Sequence, residues 1–282
     1  MKSCEIIRVF FKIITKIPFV RKNTILKGIF DIFFEKPKFY GWRLRTMHEN
    51  PWIDNFQEST FRKSCIDVKN FQFTMAGINK KTVDQLKWRH WIVAFATRYA
   101  IDFSSQESNN FVECGTADGI TAFFILREIH SRPNFAKNFK MFCYDAWDKM
   151  ESTSLSTTES KPIDYSVLNL DSTKENLIEF KDDLTFCKGY IPNSFELFPG
   201  PSSISFLHVD INSSKITLEI LEYFFDKLTK NGVILFDDYG WSTYADTKNV
   251  VDEFFHKKSG TLLKLPTSQA IFFRSDQNVL KI

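Results

Sequence analysis

The sequence predicts an α/β fold: a mostly parallel sheet flanked by helices, finished at one edge by an antiparallel strand, with an N-terminal helical cap. Three observations predict it. From residue 110 onward, short apolar runs alternate with helix-length stretches, the pattern of βαβ units. Four of those runs end at acids, as strands leading to one rim of a sheet. The last two runs, near 262–265 and 270–274, are too close in sequence for a crossover and so form an antiparallel hairpin. At about 150 residues per domain, 282 residues make one large domain or two small ones. The division falls between a basic amphipathic and cap region, 1–85, and a sheet domain, 86–282.

Residues 5–34 set single basic side chains among small apolar groups such as Ile6, Ile7, Val9, Phe10, Ile13 and Ile14. The spacing suits a basic amphipathic helix stopped near Pro18, with a second piece over 24–34. Residues 1–50 hold 11 Lys and Arg against four acids, so the basic character belongs to one end of the chain. The favoured reading is a helix packed on the body of the protein, or on a second subunit of a homo-oligomer. The alternative is peripheral contact with an anionic membrane through residues 1–34. Lys12, Lys16, Pro18 and Arg21 interrupt the apolar run and no small-residue cleavage site follows, so a secretory leader is not expected.

Residues 35–85, with Pro37, Gly41, Pro51 and Gly77, read as irregular or short helical structure covering a site. Val83 to Ile101 reads as a helix with Leu86, Trp91, Phe95 and Tyr99 near one face. Phe111 to Cys114 is a strand, Gly115 to Gly119 a turn, and Ile120 to His130 a helix. Lys140 to Tyr144 is a second strand ending at Asp145, and the Ser- and Thr-rich stretch 151–162 is a loop. A helix over 172–180 precedes a third strand at 184–187, and Ile204 to Val209 is a fourth, ending at Asp210. Ile216, Ile220, Phe224 and Leu228 at four-residue spacing predict a helix over 213–228, stopped by Asn231 and Gly232. Val233 to Phe236 is a fifth strand ending at Asp237 and Asp238, and a helix over 247–257 leads into the closing hairpin.

Composition excludes several classes. The 37 basic and 34 acidic residues leave +3, too little to argue for nucleic acid. Five scattered cysteines include no C-x-x-C pair, so free thiols in a reducing, cytoplasmic compartment are expected. No apolar stretch is long enough to span a bilayer.

In open α/β sheets, ligands bind beyond the carboxyl ends of the strands. Glu113, Asp145, Asp210, Asp237 and Asp238 fall there. Glu113, Gly115, Ala117 and Gly119 form E-x-G-x-A-x-G, a turn whose small residues let a cofactor approach the backbone. It is neither the three-glycine dinucleotide fingerprint nor a P-loop. Asp145, at the next strand end, can accept both hydroxyls of an adenosine ribose. Asp210, Asp237 and Asp238 on neighbouring strand ends would repel unless neutralised, and three carboxylates with water suit Mg²⁺ or Mn²⁺. Alternatively, Asp210 caps the following helix and Asp238 anchors the Tyr239-Gly240 turn. His208 reads as a core histidine, and His48 and His90 show no partner. Tyr239 and Trp241 either line an acceptor pocket or pack.

The runs Phe206–Glu219 and Lys230–Gly240 resemble the macrocin O-methyltransferase family, and the similarity extends over about 88–274. The resemblance implies a Rossmann-like class I sheet and methyl transfer from S-adenosylmethionine to a sugar or glycoside hydroxyl, with a divalent metal. It implies Phe111–Gly119 as the cofactor turn, Asp145 as the ribose acid, Asp210, Asp237 and Asp238 as metal ligands, and Asp210 and Asp237 as catalytic. The chain departs from the family at Asn212, where a second acid is usual, and at Ala146-Trp147-Asp148. Residues 1–85 match nothing in the family and would select the small-molecule or glycan acceptor. Two rivals remain. A nicotinamide-dependent oxidoreductase needs a fuller glycine fingerprint and a Tyr-x-x-x-Lys pair. A non-catalytic binding module should have lost its rim acids, yet all are present.

Overall fold

In a computed structural model of the protein, residues 59–74, 80–104, 109–136, 138–151, 154–156, 159 and 165–275 are described. The expectations for residues 1–34, for His48 and for most of the cap lie outside them.

Strands β1 (Asn110–Cys114), β2 (Lys140–Asp145), β3 (Leu184–Lys188), β4 (Ile204–Val209) and β5 (Leu228–Phe236) are parallel, in the order β3-β2-β1-β4-β5. A hairpin of β6 (Gly260–Lys264) and β7 (Ala270–Arg274) completes seven strands. Strand β7 lies antiparallel between β5 and β6. The strand order reverses between β1 and β4, so a crevice opens beyond their carboxyl ends.

The apolar runs are continuous because both faces of the sheet are covered. Successive residues point to opposite faces. Phe111, Phe206, Val233 and Leu235 enter one core, with α1 (Ser59–Asp67), α3 (Lys87–Phe103) and α4 (Ile120–His130). Val112, Leu207, Ile234 and Phe236 enter the other, with α7 (Ser214–Phe224) and α8 (Ala245–Phe255). The shorter helices are α2 (Lys80–Gln85), α5 (Leu170–Asn176) and α6 (Asn193–Leu197). Ala94, Ala96 and Ala100 are fully buried, and their small side chains let α3 pack closely over β4 and β5. Phe61, Val68 and Val83, from the expected cap, share that same core. Cys65, Cys114, Cys143 and Cys187 are free thiols. No helix of the described residues is long and apolar enough to cross a membrane.

Three helices differ from the sequence reading, the first being that expected over 172–180, which ends at Asn176 and is followed by a 3₁₀ turn, Ile178–Phe180. The helix expected over 83–101 is divided at Leu86 into α2 and α3. The helix expected to reach 228 stops at Phe224 and passes through a 3₁₀ turn, Phe225–Lys227, into β5. Leu228 continues the four-residue spacing but is a strand residue opposite Ile204. Asn231, with φ +56°, therefore sits inside a strand, where the β4–β5 register shifts. The start of α7 is capped by Ser213, whose Oγ accepts from the Ile216 N–H at 3.2 Å. Ser213→Ala is expected to cost about 1 kcal/mol in a urea melt.

Candidate active site

The first wall of the site is the turn after β1. Gly115 has φ +92°, and a Cβ there would lie 1.8 Å from the Asp210 carbonyl oxygen. Both the left-handed backbone and the contact with the neighbouring strand end require glycine. Gly115→Ala is expected to combine about 1–2 kcal/mol of backbone strain with displacement of the β4 rim, lowering the melting temperature and cofactor affinity together. Ala117 is also left-handed, at φ +46°. Its N–H donates to Asp145 Oδ2 at 2.8 Å, and the Trp147 N–H donates to Oδ1 at 2.7 Å. Trp147 closes the loop by donating Nε1–H to the Ala117 carbonyl at 3.0 Å. Burial raises the Asp145 pKa, and these N–H groups oppose that effect.

The second wall is the acid cluster. Two rim hydrogen bonds extend the parallel ladder: Asp210 N–H to Cys114 O and Asp237 N–H to Val209 O, each 2.9 Å. They bring together residues far apart in sequence. Asp210, Asp237 and Asp238 each offer a carboxylate oxygen within 4.8 Å of the others. Burial, then Asp237 and Asp238, push the Asp210 carboxyl well above its ordinary value. Burial and Asp237 push Asp238 up to about 6. Asp237 goes the other way: despite burial, the Arg89 guanidinium holds it below the usual carboxylate range.

Arg89 comes from α3 and ion-pairs with Asp237 Oδ2; its Nη2–H also donates to the Asp237 carbonyl at 2.7 Å. Gln269 Nε2–H donates to Asp237 Oδ1 at 2.7 Å. Neither residue was expected from the sequence. The available signal for Arg89 is a charged residue on the buried stripe that continues through Val93, Ala96 and Ala100.

The remaining expected residues divide. Glu113 is fully buried, and its Oε1 lies 3.1 Å from Nδ1 of fully buried His208. Both face the core that holds α3, behind the turn. Gly119 begins α4 at φ +82° and packs toward Leu177 and Thr173. Ser213, rather than Asp210, caps α7. The Tyr239-Gly240 turn is closed through the main chain, where the Trp241 N–H donates to the Asp238 carbonyl at 3.1 Å, a bond that any residue at 238 could make. Asn212 donates its main-chain N–H to Asp238 Oδ2 at 3.1 Å and its side-chain Nδ2–H to the Tyr165 hydroxyl at 2.7 Å. Tyr239 packs, with its hydroxyl on Asp252 at 2.6 Å. His90 is a core residue stacked on Phe124, and burial depresses its imidazole to about 3. The expected 151–162 loop is fastened at Glu159, which accepts from the Ser156 and Ser214 N–H groups, each at 2.9 Å.

One cavity of about 630 Å³ connects both walls. Gly115, Ala117 and Asp145 line one part of it, and Asp210, Asp237 and Asp238 another. Tyr165, Trp241 and Tyr244 add aromatic surface. The volume suits a cofactor together with part of a second substrate.

Residues 112–239 match a family model described as a methyltransferase domain. Among solved structures, the fold is similar to the O-methyltransferase NovP (14% identity over 66% of this chain and 79% of that one, TM-score 0.58). It is also similar to CalS11, a calicheamicin methyltransferase (12%, 77% and 92%, TM-score 0.51), and to a protein from Corynebacterium glutamicum (13%, 80% and 95%, TM-score 0.51). No curated protein sequence matches the chain. With that sheet, that glycine turn and that match across the central strands, residues 112–239 form a methyltransferase domain on a Rossmann-like sheet.

Proposed function

We propose that the chain methylates a hydroxyl of a sugar or glycoside, as a metal-dependent O-methyltransferase of the macrocin type. One observation carries the reading: the acid cluster shares a cavity with the glycine turn and Asp145. A cofactor and a cation bound there would meet a common acceptor.

The residues fit both groups. For S-adenosylmethionine, Gly115 leaves space beside the Asp210 carbonyl that a Cβ would fill. Asp145 is fixed by two N–H groups and retains lone pairs for ribose hydroxyls. For a cation, ligands at about 2.1 Å from Mg²⁺ lie up to about 4.2 Å apart across an octahedron, close to the spread of the three carboxylates. Three carboxylates against the Arg89 guanidinium leave two excess negative charges when all are ionised, and Mg²⁺ or Mn²⁺ would balance them.

S-adenosylmethionine supplies an electrophilic methyl group, and the cation supplies Lewis acidity toward a hydroxyl oxygen. The chain itself positions and encloses. Asp145 and the Ala117 turn hold the adenosine end. Arg89 and Gln269 fix Asp237, while the Asn212 N–H fixes Asp238. Tyr165, Trp241 and Tyr244 offer flat apolar surface suited to the C–H face of a sugar ring.

Calorimetry with S-adenosylhomocysteine should show binding, and NAD should show none. With a glycoside acceptor, EDTA should abolish transfer and Mg²⁺ restore it. Undiminished transfer in EDTA would remove the cation. It would favour a second reading in which Arg89 and bound protons neutralise the acids, a reading that rests on the Arg89–Asp237 pair. The acceptor is a small molecule or glycan rather than nucleic acid. The basic segment 1–34 packs on the body of the protein or on a second subunit, or else attaches peripherally at the inner face of a membrane. Anionic vesicles should float the full chain but not one lacking 1–34 if attachment is its role; equal behaviour leaves packing on the body of the protein or on a second subunit.

A further inference from the structure

We propose that Arg89 is a built-in counter-cation of the acid cluster, a positioning residue that fixes Asp237 and limits how tightly a divalent cation binds. The inference rests on the cation reading above.

The contacts around Arg89 form a closed clamp. Its guanidinium ion-pairs with Asp237 Oδ2, and Nη2–H donates to the Asp237 carbonyl at 2.7 Å. Nη1–H donates to the Thr267 carbonyl at 3.4 Å, and the group lies 5.8 Å from the Trp241 ring centroid. Gln269 grips the other oxygen of Asp237, while its Nε2–H also reaches the Arg89 carbonyl at 3.5 Å. Thr267 Oγ1–H donates to Gln269 Oε1 at 2.9 Å. Thus α3 and the β6–β7 turn hold one carboxylate from both sides.

The placement has an electrostatic consequence. Arg89 is 6% exposed, so water screens its charge poorly. It attracts Asp237 and repels any cation held by Asp237. In the absence of metal, it offsets part of the mutual repulsion of three clustered carboxylates. With metal present, it weakens binding and favours exchange. A purely structural role predicts the reverse, because loosening Asp237 would weaken the cation site.

The sign therefore decides. Mn²⁺ binding to the full-length protein is measured by calorimetry, with melting temperatures with and without Mn²⁺, for wild type, Arg89→Met and Arg89→Lys. Arg89→Met keeps an unbranched apolar stem and removes the charge. The expected result is Mn²⁺ affinity raised about tenfold or more, a lower melting temperature without metal, and recovery when Mn²⁺ is added. Arg89→Lys retains the charge and should stay within about threefold of wild type. If Arg89→Met does not fold, Arg89→Gln replaces it, with the same expected increase. Unchanged or weaker Mn²⁺ binding in the neutral variant, beside measurable binding by wild type, overturns the role of Arg89 and leaves the cation reading intact. No Mn²⁺ binding by any variant overturns both. Binding by the neutral variant alone supports Arg89 as counter-cation and removes the cation requirement from the wild-type enzyme.

Discussion

Asp210→Asn is expected to lower methyl transfer by at least about 10²-fold while the protein without metal melts at the same temperature or higher. The substitution keeps the shape of the side chain and removes one charge. Asp210 is half-buried, and desolvation together with two neighbouring carboxylates raises its proton affinity. Removing its ionisable group relieves repulsion, so the fold loses nothing and the proposed cation site loses a ligand. A functional cluster of like charges is a feature whose removal stabilises a protein at the expense of activity. Activity and Mn²⁺ affinity falling together, with an unchanged or raised melting temperature, is the supporting pattern. Full activity would dismiss the cluster as the reaction centre. Asp237→Ala is a poorer test, although the sequence alone makes it look equivalent. It would strand the buried Arg89 guanidinium, at a cost of about 3–5 kcal/mol. Lost activity there would not distinguish lost chemistry from lost fold.

That contrast marks what the sequence can and cannot reveal. Strands buried on both faces appear as continuous apolar runs, and parallel strands put their carboxyl ends on one rim. Asp145, Asp210, Asp237 and Asp238 could therefore be placed together from local patterns. Period-two alternation also explains the different position of Glu113. It lies one residue before the strand end, on the same face as Phe111, and so meets His208 instead of lining the cavity. Arg89 was not legible because its partner is 148 residues away. Helical spacing shows that the position is inward-facing but not what it faces. Leu228 misled for a related reason: an apolar residue in helical register is equally suited to the first position of a buried strand. Asn231 then looked like a helix stop, although its left-handed backbone serves an irregularity inside β5.

The proposed cofactor half of the site makes the second large prediction. Asp145→Asn is expected to weaken S-adenosylhomocysteine binding by about 10²-fold, because each hydrogen bond to a charged acceptor contributes about 1.5–3 kcal/mol. Both Asp145 oxygens accept main-chain N–H groups, from Ala117 and Trp147. An asparagine side chain has one acceptor oxygen, so its NH₂ must face one of those donors. Two donors pointing at each other repel, and the turn must shift. The shift reaches the cofactor wall directly, since Ala117 lines the cavity and its carbonyl accepts from Trp147 Nε1–H. The acid cluster belongs to β4 and β5 and does not depend on that turn for its carboxylates. Mn²⁺ affinity should therefore remain within about threefold of wild type while cofactor affinity falls, as expected for sites without a shared partner. Titrating both ligands into the same variant separates the two halves. Equal losses of both would mean that the Asp145 turn supports the whole rim, and unchanged cofactor binding would remove Asp145 from the cofactor site.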